Sequence, residues 1–432
     1  MKLQWKFAGG IVLMTMMALG AQEIMIQSKA AAQNTEDTTL LQIAFRKGVD
    51  FYPYAGQVVK PGDGPRYPYA VYKAGTPMFQ VDPAWPKFPE RNWVLGDVPG
   101  VAVDSEGNVW LIHRPKTLNG QGEGNGKGIL ADLKPPQADC CIPAPPIMEF
   151  DAAGNFVQGW GGPGQGFEWP QSEHSIFVDY KGNVWISGNG AKDNQILEFT
   201  KDGKFLMQIG HSGKSQGSLD TENLNKPSGI YVYQKTNEVF VSDGYLNKRV
   251  IVFGADTGAF KRMWGAYGNK PDDSIGPSNA EGPTAADVEP PALQQFNTVH
   301  CVRISNDGLV YVCDRTHNRL QVFKPDGTYV SEVFIAREST GGGTLDGVAF
   351  SPDPLQKFMY IADSTDQHIW ILDRKTLQVQ GRFVVQGHYA GQGWHMHGIA
   401  SDSKGNIYVA EGILGHRVDK FVYKGLSTSA SE

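Results

Sequence analysis

The sequence predicts an all-β protein with the architecture of a six-bladed β-propeller, and three observations support this. An apolar run, a tight glycine turn and a second apolar run form a β-hairpin pattern that is clearest in residues 174–187. Two more short alternating segments follow, so the unit has four antiparallel strands. The unit occurs six times, with starts 46 to 75 residues apart, near Pro99, His174, Ser228, His300, Asp346 and His397. Four-stranded units at such a period are typical of propeller blades.

The composition agrees with one domain built of strands and turns. The six repeats cover residues 99–424 of the 432-residue chain, and 52 glycines and 26 prolines supply its turns. Aromatic residues make up 11% of the chain, which suits sheets that pack face to face. The net charge is −6 and no basic run occurs, so we expect no nucleic-acid partner.

The N-terminus has the pattern of a secretory signal. Lys2 and Lys6 precede a short apolar stretch, and Ala30–Ala32 offers a cleavage site, so residues 1–32 are interpreted as a signal peptide. Cleavage after Ala21 and an uncleaved anchor are alternatives, but the apolar stretch is short for a membrane span. We therefore expect a periplasmic or secreted mature protein without a membrane span, in a compartment where disulfides form.

Two further segments flank the repeats. Residues 33–98 form an N-terminal extension, and we expect a strand within 68–82 to complete the last blade and close the ring. The Ser-rich tail, residues 425–432, is expected to be disordered.

Histidine begins the innermost strand in three alternate blades, at His174, His300 and His397. Because six blades stand about 60° apart, alternate blades place three imidazoles about 120° apart at one end of the channel. A histidine at a strand start is often a packing residue, but three at one repeat position favour a metal site with an open coordination position. Zinc is the first choice, although imidazole also binds iron, manganese and copper.

The repeats also resemble known propeller families. An Asp that ends the second strand and is followed by Arg and an apolar run, as in residues 243–253 and 314–323, resembles the NHL class of repeats. A more specific resemblance, from Trp85-Pro86 to the end of blade 6, is to the peptidyl-α-hydroxyglycine α-amidating lyase family. The three histidines match its metal ligands, Ser242–Tyr245 matches its Ser-Asp-Gly-Tyr motif, and Ile112–Arg114 is similar to its Phe-His-Arg motif.

This resemblance implies a six-bladed propeller with zinc held by the three histidines in its channel. It also implies zinc-assisted cleavage of the C–N bond of a carbinolamide, in a peptide or small-molecule substrate, to give an amide and glyoxylate. Tyr245 would act as the general base, and Arg114 would hold a carboxylate or carbonyl group.

Several residues depart from the family's pattern. Gly398 stands where the family has an aspartate that helps to hold a structural calcium, so calcium is doubtful in this chain. Leu246 stands where the family has a cysteine, so the disulfide that the family forms through this cysteine is absent here. His395-Met396 replaces Met-Pro, so His395 is a candidate fourth ligand or proton carrier, or else faces solvent. The other candidates for the site are Asp346 and two tryptophans equally suited to packing, Trp169 and Trp394. The repeat arginines are interpreted as structural: Arg249, Arg315 and Arg319.

Two alternative functions remain. A lactonase-like metal hydrolase would use a similar propeller, but such sites hold calcium through carboxylates and Asn rather than histidines. A non-catalytic binding propeller would need only the NHL pattern. Metal analysis separates the binding propeller from both enzymes, and activity on an α-hydroxyglycine peptide or on a lactone separates the two enzymes.

The four cysteines predict one disulfide next to the candidate metal site. If the turn at Asn306–Gly308 has three loop residues, Cys301 lies directly opposite Cys313 on the next strand, which is close enough for a bond with local twist. A two-residue turn would shift the register and separate them. Cys140 and Cys141 are left to pair with each other or to remain thiols in a long insertion.

Overall fold

Six antiparallel sheets, one for each predicted repeat, form most of the described chain. The computed structural model describes residues 70–89, 92–119, 139, 141–275, 293–337, 339 and 341–431. These residues form 27 β-strands and three short 3-10 helices but no α-helix. The prediction of an all-β, six-bladed propeller is therefore confirmed. The predicted signal peptide, residues 1–32, lies outside the described residues, as does Cys140.

The strands of each blade are named in order from the innermost strand outwards. Blade 1 contains β4 (Asp97–Val103), β5 (Val109–Arg114), β7 (Ile147–Phe150) and β8 (Phe156–Trp160); blade 2 contains β9 (Glu173–Val178), β10 (Val184–Gly188), β11 (Gln195–Phe199) and β12 (Phe205–Gly210); blade 3 contains β13 (Gly229–Tyr233), β14 (Glu238–Asp243), β15 (Arg249–Gly254) and β16 (Phe260–Trp264). Blade 4 contains β17 (Val299–Ile304), β18 (Val310–Asp314), β19 (Arg319–Phe323) and β20 (Tyr329–Phe334); blade 5 contains β21 (Gly347–Phe350), β22 (Phe358–Asp363), β23 (His368–Asp373), β24 (Val379–Phe383) and β1 (Val71–Tyr72); blade 6 contains β25 (Met396–Ser401), β26 (Ile407–Glu411), β27 (Val418–Leu426) and β2 (Pro77–Asp82).

The remaining elements are small. Strand β3 (Trp93–Val94) pairs in parallel with β6 (Ile142–Pro143). The 3-10 helices are η1 (Pro115–Asn119), η2 (Ala266–Gly268) and η3 (Arg315–His317). None of the helices in the described part of the chain has the length and hydropathy needed to cross a membrane.

Blade 6 joins the two ends of the described chain. Strand β2 lies within the segment 68–82 and pairs antiparallel with β27, the last strand. Strand β27 continues to Leu426, and the backbone N–H of Ser431 donates to the carbonyl of Tyr72 in β1. The tail through Ser431 therefore follows the N-terminal strands, in contrast to the disorder expected from its composition, because those strands offer it backbone partners.

A buried aromatic residue repeats in the second strand of every blade and fixes how the blades pack. Each of these side chains is at most 1% exposed: Trp110, Trp185, Phe240, Tyr311, Tyr360 and Tyr408. Burial of such large rings is the main apolar contribution at each blade interface. Directly paired residues of neighbouring strands share a face, so the innermost-strand residue opposite each ring lies on the same face of its sheet.

The predicted disulfide in blade 4 is present. Cys301 of β17 pairs in register with Cys313 of β18, and their Cα atoms are 4.9 Å apart. The turn has three loop residues, because the N–H of Ser305 donates to the carbonyl of Leu309 and Gly308 has a φ of 87°. Cys141, which borders the undescribed part of the blade 1 insertion, is also disulfide-bonded.

Replacing both blade 4 cysteines, Cys301→Ser with Cys313→Ser, is expected to lower the free energy of unfolding by about 2–3 kcal/mol. The bond closes a loop with a sequence separation of 12, and cross-links of this size stabilise mainly by restricting the unfolded chain. Chemical denaturation of the variant and of the oxidised parent protein, both without reductant, measures the difference. Equal stability of the variant and the oxidised parent would contradict it.

Candidate metal centre

Each of the three predicted ligands is the extra residue of a β-bulge at the start of an innermost strand. The residues on either side of His174, His300 and His397 pair with consecutive residues of the second strand, so the histidine itself has no opposite partner. A bulge bends the strand and redirects the side chain of its extra residue. The strand start, the bulge and the alternate blades together turn three imidazoles into the channel.

A backbone carbonyl of the following blade holds each imidazole. The Nδ1–H groups of His174, His300 and His397 donate to the carbonyl oxygens of Ser228, Asp346 and Pro99, at 2.9, 2.6 and 2.7 Å. Each acceptor stands at the same repeat position as the histidines. Because Nδ1 carries the proton, Nε2 keeps a lone pair that can bind a metal ion.

The three rings converge in a buried cluster. Their centroids are 4.6 to 5.1 Å apart, and their candidate ligand atoms lie within 4.8 Å of one another. Burial lowers the pKa of each imidazole well below 6.5, and cationic neighbours such as Arg315 lower it further. Three neutral, converging imidazoles fit a metal site of the three-histidine type.

Tyr245 lies directly against the histidines. Its hydroxyl is 2.9 Å from Nε2 of His174 and 3.1 Å from Nε2 of His300. The loop that carries it follows β14, and a Cβ atom at Gly244 would lie only 2.1 Å from the backbone nitrogen of Val299. The glycine of the Ser-Asp-Gly-Tyr segment is therefore required for the close approach that brings the tyrosine to the centre.

Arg114, the last residue of β5, is held between blades 1 and 2. Its Nε donates to the carbonyl of Glu173 at 2.7 Å, and its Nη2 donates to Oδ1 of Asn189 at 3.1 Å. Glu173 directly precedes the ligand His174, so these bonds fix the guanidinium beside the centre. The positive charge of Arg114 contributes to the lowered pKa of His174.

Arg315 is a site residue that the repeat pattern alone assigned to a structural role. Its guanidinium carbon is 5.4 Å from the ring centroid of Tyr245, and its Nη1 is 3.3 Å from Oδ1 of Asp346. Its Nε is buried and has no hydrogen-bond partner among the described residues. The structural interpretation holds for Arg249 and Arg319, which bind the aspartates that end β14 and β18.

A positional signal distinguishes Arg315 from the other repeat arginines. Arg315 directly follows the last residue of β18, and Tyr245 stands two residues after the end of β14. Arg114 ends β5, so the ends of three second strands supply all three groups. Arg249 and Arg319 instead begin the third strands, β15 and β19.

Asp346 and His395 lie beside the centre. The carboxylate of Asp346 faces Arg315 and accepts the backbone N–H of Ser364, while burial raises its pKa. The ring of His395 lies nearly parallel to that of His397, with centroids 6.1 Å apart. Burial lowers the pKa of His395 to about 4, and Arg315 and Arg114 add to this. His395 is therefore neutral near pH 7 and lies next to the cluster.

Both candidate tryptophans have packing contacts. The indole Nε1 of Trp169 donates to Oε1 of Glu173 at 2.7 Å, and its ring lies 6.1 Å from that of Phe199. The ring of Trp394 stacks on His388 at 4.7 Å. Trp169 thus supports the residue whose carbonyl holds Arg114.

Comparison with known proteins gives distant relatives. The family model of the NHL repeat matches residues 296–323, which span His300, the disulfide and Arg315. NHL repeat-containing protein 3 of Homo sapiens is 26% identical over 257 residues, covering 58% of this chain and 57% of that protein. Peptidyl-glycine alpha-amidating monooxygenase of Mus musculus is 28% identical over 302 residues, covering 68% of this chain and 26% of that protein. Peptidyl-alpha-hydroxyglycine alpha-amidating lyase 2 of Drosophila melanogaster is 30% identical over 172 residues, covering 39% of this chain and 38% of that protein.

Removing two of the imidazoles is expected to abolish metal binding. We expect about one ion per chain in the parent protein and almost none in a His174→Ala, His300→Ala variant, because one remaining histidine cannot form the site. His211→Ala is the matched control, since that side chain is 70% exposed in blade 2. Elemental analysis of the dialysed proteins measures the content, and full retention by the double variant would contradict the assignment.

Metal release on acidification is expected to have its midpoint below pH 6.5. Metal binding requires neutral imidazoles. Burial holds the pKa of all three histidines below that value, so protons compete only at lower pH. Equilibrium dialysis against buffers of decreasing pH measures the midpoint, and release centred above pH 6.5 would contradict the burial effect.

Proposed function

We propose that this chain, an NHL-repeat six-bladed propeller distantly related to the amidating lyases, is a secreted zinc-dependent carbon–nitrogen lyase that cleaves a carbinolamide of the α-hydroxyglycine type. The observation that carries this proposal is the position of the Tyr245 hydroxyl, 2.9 and 3.1 Å from the Nε2 atoms of two of the three neutral imidazoles. Tyr245 and Arg114 are also the residues that match the family's catalytic motifs.

The three Nε2 atoms of His174, His300 and His397 would hold the zinc ion. When bound, zinc would supply a Lewis acid that polarises a substrate oxygen and makes a hydroxyl group easier to deprotonate. The carbonyl oxygens that accept from Nδ1 keep the three rings in one orientation. The protein thus contributes a site that is already organised before substrate binds.

Tyr245 is the group best suited to move the proton. Cleavage of the carbinolamide converts its C–OH group to a carbonyl, breaks the C–N bond and adds a proton to the departing amide nitrogen. The phenol oxygen would accept the hydroxyl proton while its own proton passes to that nitrogen, so that atoms and charge balance. The phenol oxygen lies 2.9 Å from Nε2 of His174, one of the atoms that would hold zinc, which supports a position close to a hydroxyl group polarised there.

Arg114 and Arg315 would bind the carboxylate of the substrate. Arg114 uses Nε and Nη2 in contacts with the protein, which leaves further N–H donors. In the described part of the chain the buried Nε of Arg315 has no partner, and an unpaired buried donor is costly until a ligand satisfies it. Two guanidinium groups beside a neutral cluster favour an anionic substrate.

The lyase is favoured over a lactonase-like hydrolase by its candidate ligands. Among the described residues, the group of side chains with metal-binding geometry consists of three histidines and contains no carboxylate. Calcium prefers oxygen ligands, whereas imidazole suits zinc. The signal-like N-terminus and the disulfide between Cys301 and Cys313 support secretion.

Tyr245→Phe is expected to reduce turnover of a short peptide ending in α-hydroxyglycine by about 10²–10⁴-fold, because the proton carrier is lost. Metal content and the unfolding temperature should stay unchanged. Tyr233→Phe, at the far end of β13 in the same blade, is the control and should keep full activity. Glyoxylate release measures the rate, and near-normal turnover by Tyr245→Phe would reassign the residue to packing.

Arg315→Gln is expected to raise KM for the same peptide by about 10-fold or more, since a charge-assisted hydrogen bond to the carboxylate is lost. Arg114→Ala should weaken both binding and turnover. A substrate whose carboxylate is replaced by an amide should be processed equally by Arg315→Gln and the parent protein. An unchanged KM for the acid in Arg315→Gln would remove Arg315 from the binding site.

A further inference from the structure

The innermost strands leave backbone groups that need partners in the channel. Each innermost strand stands at the end of its sheet and pairs on one side only. Its other edge faces the channel, where unpaired N–H and C=O groups require hydrogen bonds. At the level of the metal centre, the imidazole Nδ1–H groups satisfy three such carbonyls.

One repeat position of the innermost strands carries side chains of very different size. Six residues of the innermost strands share one repeat position, because each pairs with the buried aromatic of its second strand: Ala102, Phe177, Tyr231, Arg303, Ala349 and Ala400. Blades 2, 3 and 4 thus supply three large side chains, and blades 5, 6 and 1 supply alanine. Arg303 lines the channel together with the three histidines.

The guanidinium of Arg303 is bound by carbonyl groups instead of a carboxylate. Its Nη1 donates to the carbonyl of Val302 at 2.9 Å and to that of Ile230, in blade 3, at 3.2 Å. Its guanidinium carbon lies 6.0 Å from the ring centroid of Phe177 in blade 2. Within the described ranges no acidic side chain forms an ion pair with it. Although burial lowers its pKa, a guanidinium stays charged at neutral pH.

The same region does not fit calcium. Calcium requires six to eight oxygen ligands, normally including carboxylates. Position 398 is glycine, and a Cβ atom there would lie 2.9 Å from the carbonyl oxygen of Pro99. The one channel-lining carboxylate among the described residues, Asp346, binds Arg315 and the N–H of Ser364. The channel therefore offers carbonyl oxygens but no free carboxylate to a second metal ion.

We infer that Arg303 is the resident cation of the channel. Its guanidinium supplies from the chain itself the positive charge and the donors that the carbonyl oxygens of β13 and β17 require. The protein accordingly needs one metal ion, at the histidines, and does not depend on calcium. This inference concerns the part of the channel around Arg303 and not the histidine centre, and it does not rest on the proposed lyase activity.

Two substitutions separate the charge of Arg303 from its hydrogen bonds. Arg303→Lys keeps a cation, whereas Arg303→Gln keeps a neutral donor on a shorter side chain. We expect the unfolding temperature of the metal-loaded protein to fall by about 4 °C or more in Arg303→Gln and by clearly less in Arg303→Lys. Equal or higher stability of Arg303→Gln would overturn the inference, because removal of an unneeded buried charge is stabilising.

Calcium binding to the parent protein gives a test that does not depend on the variants. Isothermal titration with CaCl2, with the histidine site already loaded with zinc, should show no stoichiometric binding, and added calcium should leave the unfolding temperature unchanged. Binding of one calcium ion per chain, or a calcium-dependent rise in the unfolding temperature of the parent protein, would overturn the inference even if both variants failed to fold.

Discussion

The hydrogen bonds from three imidazole Nδ1 atoms to carbonyls of the next blade are the contacts on which the candidate site depends. Each bond fixes the tautomer and the orientation of a ring, and each crosses a blade interface. The position of His397 is therefore set by Pro99, which is 298 residues away in the sequence. The geometry of the metal centre therefore depends on closure of the ring of blades. An incomplete ring would leave at least one imidazole without its carbonyl acceptor.

The groups around the histidines also come from different blades, because of the way the strands are arranged in the ring. Innermost strands begin at the same end of the propeller at which second strands finish, so Arg114, Tyr245 and Arg315 reach the centre from blades 1, 3 and 4. Each is held by a contact outside its own strand. Closure of blade 6 by β2 and β27 thus does more than stabilise the sheet. It brings together side chains that no single blade could assemble.

Much of this arrangement could be predicted because it is local or repeated. The turn at Asn306–Gly308 fixed the register of Cys301 and Cys313, and the repeat position of the histidines fixed their convergence by symmetry. Arg315 was missed because it follows the aspartate that ends a second strand, as Arg249 and Arg319 also do a few residues later, and only the path of the loop distinguishes them. The partners of Arg303 are backbone carbonyls of its own strand and of another blade. Because every residue has a backbone carbonyl, the sequence does not indicate which of them will accept these hydrogen bonds. The contacts of Ser431 likewise depend on ring closure.

Histidine ligands and acceptor carbonyls alternate from one blade to the next around the ring. Blades 2, 4 and 6 contribute ligands, and blades 3, 5 and 1 contribute the carbonyls that hold them. The working unit is thus a pair of neighbouring blades, repeated three times around a pseudo-threefold axis. Gain or loss of a single blade would place two ligands or two acceptors side by side somewhere in the ring. A change in blade number would therefore preserve the alternating pattern only if blades were added or removed in pairs.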